Sequence, residues 1–170
     1  MRPSKDQDFM ASAFSYAFRS HDTQSKVGAV LVNAQKREIG RGRNGFPSDV
    51  KKDGLPTTRP KKYPFMVHAE INAISNMVIK PESAFLYVTR MPCENCSKAL
   101  WQNNIREWNV PKSCVDFSGS KPIVKHYNEE ETQLLDLLIS NGLVINFHDF
   151  GIEDVIELAE ANRIYFDYLK

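Results

Sequence analysis

The chain has 170 residues, 42% of them hydrophobic and 25% charged, and 22 basic against 21 acidic side chains leave a formal net charge of +1. That length suits one domain with a full core, and the charge balance excludes a polyanion-binding protein that works through the field of the whole molecule. The apolar runs, such as Ala84 to Val88 and Leu134 to Ile139, fall far short of the roughly 20 residues that cross a bilayer.

The polar stretch from Met1 to Asp8 does not read as a secretory signal, so a cytoplasmic protein with no membrane attachment is expected. Three cysteines in such a chain argue against a disulfide framework and for metal binding or simple burial.

Taken in order, Ser4 with Gln7 three residues later is a capping-box pattern, and Phe9, Met10, Ala13, Phe14 and Ala17 follow at helical spacing. Val27 to Val32 is a short β-branched run. A polar break and the Glu38 to Asn44 stretch then complete a strand pair. Gly45 to Pro64, rich in proline, glycine and charge, reads as a long surface loop of the kind that is uncommon without a job.

Ile71, Ile74, Met77 and Val78 mark a helix ended by Pro81. Ala84 to Thr89 is a strand, Cys93 to Asn103 a helix and Glu107 to Val110 a short strand. Glu129 to Asn141 is a helix stopped by Gly142, Leu143 to Phe147 is strand-like, and Ile152 to Lys170 has helical spacing. Helices alternating with strands predict an α/β domain over 1–170, with helices covering a mixed sheet.

Two short motifs carry chemistry: His68-Ala69-Glu70 and Pro92-Cys93-Glu94-Asn95-Cys96, each at the start of an expected helix. An imidazole and two thiolates make a suitable zinc shell that leaves one position open for water, which is the mark of a catalytic site. His68 and Glu70 can share a site only in the first turn of their helix, because side chains two residues apart in a helix interior point to different sides. Cys93 and Cys96, three apart, can grip one ion at a helix start, where the positive helix end helps to hold thiolates.

Each motif alone has a plainer explanation. A lone H-x-E is mostly chance, and C-x-x-C fits a structural zinc knuckle, a redox pair or two buried small residues. Joined in this order, they match the pattern of zinc deaminases that act on bases. In that pattern zinc lowers the pKa of water from about 15.7 to about 7, and Glu70 is the proton shuttle between that water, N3 of cytosine and the departing amine.

Beyond the two motifs, the chain resembles the deoxycytidylate deaminases of the cytidine-deaminase superfamily over about residues 5–147. The stretches that carry the resemblance are Lys26-Val27-Gly28-Ala29-Val30, Gly42-Arg43-Asn44-Gly45-Phe46-Pro47, Tyr63-Pro64-Phe65-Met66-Val67 and Ile71-Asn72-Ala73-Ile74. The N-G-x-P loop and the long interval from Asn44 to His68 set it apart from tRNA adenosine deaminases, and His68 stands where free-nucleoside cytidine deaminases usually have cysteine.

The resemblance implies a three-layer α-β-α fold with a sheet of about five strands, and deamination of dCMP to dUMP for the supply of thymidylate precursors. It implies His68, Cys93 and Cys96 as zinc ligands and Glu70 as the catalytic group. Asn44 would hold the sugar and base edge, the backbone of Ala69 the cytosine carbonyl, and Ser25 or Lys26 the region of the 5′-phosphate. A homo-oligomer, often a hexamer, activated by dCTP with Mg2+ and inhibited by dTTP, also belongs to the family picture. Arg43 and Ser48-Asp49 depart from the family's usual residues around the N-G-x-P loop, which weakens the regulatory carry-over more than the catalytic one. Residues 148–170 find no counterpart and are expected to add a helix.

Several readings stay open. Activity on dCTP is compatible with the same site. Arg41 and Arg43, two apart on a strand and so on one face, could bind phosphate or an effector, as could Lys51, Lys52, Arg59, Lys61 and Lys62, for which a solvated loop face is the alternative. A nucleic-acid editor whose basic loop grips a strand is disfavoured by the neutral net charge. A zinc-stabilised binding module is disfavoured because a structural site normally has a fourth protein ligand. Cys114 reads as a core residue, and His21, His126 and His148 lack ligand spacing and read as surface or structural.

Overall fold

The structure is a computed structural model that describes residues 2–161. Helix α1 (Lys5–Phe18) opens on the expected capping box: Ser4 Oγ accepts from the Gln7 N–H while the Gln7 side-chain oxygen accepts from the Ser4 N–H. Strands β1 (Gly28–Asn33) and β2 (Glu38–Arg43) form an antiparallel pair. After a loop and a 3-10 turn at Tyr63–Phe65 come α2 (Ala69–Ser75), β3 (Ala84–Val88), α3 (Glu94–Gln102) and β4 (Ile105–Pro111). A two-residue hairpin, β5 (Val115–Asp116) and β6 (Ile123–Val124), precedes α4 (Glu129–Ser140), β7 (Val144–His148) and α5 (Ile152–Ala161).

Five strands make one sheet in the order β2-β1-β3-β4-β7, with β1 antiparallel to both neighbours and β3, β4 and β7 parallel. Alternation along each strand separates two cores. Ala29, Leu31, Leu86, Val88, Trp108 and Val110 pack under α2, α3 and α4, whereas Val30, Val32 and Tyr87 pack under α1 and α5. The mixed sheet with helices on both faces is therefore the three-layer α-β-α arrangement expected from the sequence.

Helix α2 is shorter than its apolar spacing suggests. It ends at Ser75, and Val78 and Ile79 beyond it are 94% and 79% exposed, with no element of the described residues covering them. The β5–β6 hairpin is absent from the sequence reading because two-residue strands carry no periodicity. The helix expected over Ile152 to Lys170 is α5 as far as Ala161, and positions 162–170 lie outside the described residues. No helix of the described residues is long and apolar enough to cross a membrane.

Register decides where a site can form. Gly28 pairs with Arg43 and Ala29 with Val88, so the start of β1, the end of β2 and the end of β3 lie along one edge. This is the carboxyl edge of the parallel strands, where open α/β sheets place their ligands.

Helix α2 is held against β2 there by bare backbone. A Cβ on Gly42 would lie 2.3 Å from the Ala69 carbonyl oxygen, and one on Gly40 would lie 2.4 Å from that of Ala73. Gly42→Ala is accordingly expected to lower stability by about 1–3 kcal/mol through overpacking, read as a lower urea midpoint. An unchanged midpoint would show that α2 can stand further off.

Candidate active site

Both short motifs occupy helix N-termini. His68 caps α2 (φ −74, ψ 155) and Cys93 caps α3 (φ −69, ψ 173), each in extended conformation and neither making a side-chain capping hydrogen bond. Where serine, threonine or aspartate would ordinarily satisfy the helix start, these two side chains are free to face one another. The free N–H groups and positive ends of both helices point at the same spot.

His68 Nδ1 stands 3.3 Å from Cys93 Sγ and 3.4 Å from Cys96 Sγ, and the three donor atoms all lie within 4.8 Å of one another. Ordinary Zn–N and Zn–S bond lengths on a tetrahedron give an N to S edge of about 3.6 Å. The donor set and its spacing thus fit a zinc ion held by three protein ligands. Cys114 lies apart, its half-buried thiol directed at the Thr89 carbonyl at 3.9 Å and pushed up in pKa by burial.

The cluster is electrostatically prepared for a cation. The adjacent Cys96 thiol, and after it the His68 ring, bring the Cys93 thiol down to about 3, making it a thiolate. Cys96 is pushed up by its hydrogen bond to Cys93 and by burial, and His68 is raised by its hydrogen bond to Cys93. A zinc ion held by these groups would require both sulfurs to be deprotonated, since only deprotonated sulfur ligates. Glu70, the second residue of α2 and 4% exposed, has its carboxyl raised by burial.

A cavity of about 460 Å³ opens over the cluster, with His68, Ala69, Glu70 and Cys93 at one end. Of the other sequence-derived candidates, Asn44 and Ser25 line it. The Asn44 carboxamide is already engaged: Oδ1 accepts from the Val27 N–H at 2.8 Å, and Nδ2 donates to the Ser25 carbonyl at 2.8 Å and to Asp22 at 3.2 Å. One Oδ1 lone pair is left for a ligand.

Lys26 does not line the cavity; its ammonium donates to the carbonyls of Phe18 and Ser20. Arg41 and Arg43 stay out of it as well. Arg41 lines a separate depression, over the Tyr16 ring and 3.7 Å from Glu38.

The structure adds wall residues that the sequence reading left aside or took for surface: Asp22, Tyr63, Arg90, His126 and Glu131. His126, read from sequence as surface or structural, is an exposed residue that nonetheless lines this cavity. The adjoining Tyr127 hydroxyl donates to the Pro92 carbonyl and so fixes the approach to α4 beside the Cys93 turn.

Lys62 is no solvated loop lysine. It is 2% exposed, and its ammonium lies 2.6 Å from both oxygens of Asp22. Asp22 also accepts from the N–H groups of Gln24 and Ser25 and from Asn44, which ties three chain segments of the wall together.

Lys62→Met would strand a buried carboxylate, with an expected loss of about 3–5 kcal/mol, measured by denaturant unfolding. Burial works to raise the Asp22 pKa, but the Lys62 ammonium and two backbone N–H groups outweigh it and hold the carboxyl below its ordinary 3.8. A group depressed on folding stabilises above its unfolded pKa and loses that contribution as pH falls through the folded value. Stability should therefore decline below about pH 4 in the native chain, and this acid-dependent part should be absent in Asp22→Asn.

Fold and site together define a three-donor metal centre beside a buried carboxyl on an α-β-α sheet. The family model described as the cytidine and deoxycytidylate deaminase zinc-binding region matches residues 3–112, and the chain belongs to this family of enzymes. It is 41% identical over 167 residues to the deoxycytidylate deaminase of Homo sapiens, covering 94% of this chain and 83% of that protein. It is 34% identical over 130 residues to the deoxycytidylate deaminase of Mycobacterium phage D29, covering 65% and 97%. Its fold is similar to a solved dCMP deaminase of the cyanophage S-TIM5 in complex with dCMP and dUMP, with a TM-score of 0.65 at 24% identity, covering 87% of this chain and 99% of that one.

Proposed function

We propose that this chain, as a single deaminase domain over 1–170, hydrolyses dCMP to dUMP and ammonia. The observation that carries the reading is the buried Glu70 carboxyl beside the His68–Cys93–Cys96 cluster, at the end of a cavity within the usual size range for small-molecule sites. The relatives named as deoxycytidylate deaminases support the choice of substrate.

His68, Cys93 and Cys96 would hold zinc, which when bound supplies the Lewis acidity that makes water a nucleophile near neutral pH. Glu70 takes a proton from the attacking water, hands it to N3 of the pyrimidine and then serves the departing amino nitrogen. A carboxyl raised by burial is suited to both taking and giving a proton. The Ala69 N–H donates to the cytosine carbonyl, a role supported by its position in the first turn of α2, where backbone donors lack helix partners. Asn44, through its remaining lone pair, takes a hydroxyl of the sugar, and Ser25 stands on the same wall. Supply of dUMP for thymidylate, control by dCTP with Mg2+ and by dTTP, and a hexameric assembly belong to the same reading and rest on family membership.

The test is ammonia release from dCMP, dCTP, CMP, deoxycytidine, guanine and single-stranded DNA, with zinc measured on the same sample. The expected result is about one zinc per chain, the open three-ligand stoichiometry, with dCMP as the best substrate. Preferred turnover of dCTP would move the reading to nucleoside triphosphates, and preferred turnover of single-stranded DNA would replace it with base editing.

A further inference from the structure

The walls of the cavity carry three cations, Arg59, Lys62 and Arg90, and their commitments differ. Lys62 is neutralised by Asp22, and the Arg59 guanidinium is engaged by Ser25 Oγ. Arg90 is half-buried at the end of β3, two residues before Pro92, and its guanidinium makes no hydrogen bond, ion pair or ring contact among the described residues. The nearby carboxylate that could have paired with it, Glu131, is instead part of the capping box of α4, accepting from the Asn128 N–H at 3.0 Å.

A guanidinium withdrawn from water without a counter-charge is unfavourable, and its rigid fork of donors is matched to phosphate. We propose that Arg90 is the anion-reading residue of this cavity, holding the 5′-phosphate of the substrate and setting the preference for nucleotides over nucleosides. This rests on the cytosine-nucleotide reading above, and it extends it to a residue that neither catalytic motif contains.

Position agrees with the role. Arg90 and His68 line the same cavity, so an anion on Arg90 is within one ligand's length of the metal cluster. His126, though exposed, shares the wall: desolvation of its ring there, and next the Arg90 charge, hold it below its ordinary pKa. Arg90 therefore puts a positive charge on this side of the opening, although the chain as a whole is nearly neutral.

The experiment compares zinc-loaded native protein, Arg90→Leu and Arg90→Lys by two readouts. In the first, kcat/KM is measured for dCMP and for deoxycytidine. Arg90→Leu should lose roughly 10- to 100-fold on dCMP, the worth of charge-assisted hydrogen bonds. Its loss on deoxycytidine should be smaller by at least about tenfold, and Arg90→Lys, which keeps the charge without the fork, should fall between.

In the second readout, 2-deoxyribose 5-phosphate binding is followed by calorimetry, and the affinity should drop by a similar factor in Arg90→Leu. Equal losses on dCMP and deoxycytidine, or sugar-phosphate binding that ignores the substitution, would overturn the proposal. Arg90-dependent binding of the sugar phosphate in a protein that turns over no cytosine compound would leave the anion site standing and remove the substrate reading instead.

Discussion

Glu70→Gln is expected to keep zinc and fold while turnover of dCMP falls by about 10²–10⁴-fold, the usual worth of a positioned acid-base group. The substitution is close to isosteric, and Glu70 is 4% exposed in the first turn of α2, so its amide occupies the same space. What disappears is the ability to accept a proton from water and return it to the pyrimidine. His68, Cys93 and Cys96 are untouched, so metal content measured on the same preparation separates loss of chemistry from loss of the site. Retention of more than about a tenth of the native rate would contradict the assignment, because general acid-base catalysis is worth more than that.

Cys96→Ala is expected to abolish both activity and stoichiometric zinc. Cys96 is 1% exposed, at the third helical position of α3, and its sulfur lies 3.4 Å from His68 Nδ1. Its removal leaves two protein donors. Apparent zinc affinities of roughly 10–16 kcal/mol are shared among a few ligands, so one lost thiolate should weaken binding by at least about a hundredfold. The control is Cys114→Ala, which removes a thiol outside the cluster and should retain zinc. If the two variants kept equal metal, the ion would have to sit elsewhere.

The same two motifs explain why so much of the site could be read from sequence. His68 with Glu70, and Cys93 with Cys96, are each local patterns whose geometry depends only on a helix beginning at that point. The capping box of α1 and the β-branched run of β1 are local in the same sense. Arg41 and Arg43 show the limit of such reasoning. Strand parity puts them on one face of β2, but Gly40 and Gly42 give the other face to α2, which carries the cavity motif, and Arg41 ends over Tyr16 of α1. Parity tells which residues travel together and leaves open which side of the sheet they meet.

Lysine placement makes the same point with identical side chains. Lys26, expected near the phosphate, caps the carbonyls of Phe18 and Ser20, whereas Lys62, one of several loop lysines, is buried against Asp22 forty positions away in sequence. Nothing in the local composition around either lysine distinguishes them. Arg90 and His126 were equally silent, because the first reaches the cavity from the end of β3 and the second from the connection before α4.

The sequence by itself determined the alternation of helices and strands and the His68, Cys93 and Cys96 donor group with Glu70 in the first turn of α2, because those depend on periodicity and on side chains at helix starts. Only the tertiary structure decided that the two helix starts meet, that Asp22 and Lys62 pair inside the wall, and that Arg90 lines the cavity with no partner among the described residues. Those outcomes depend on sheet register and on contacts between segments far apart in the chain, and neither leaves a periodic trace in the residues that make them.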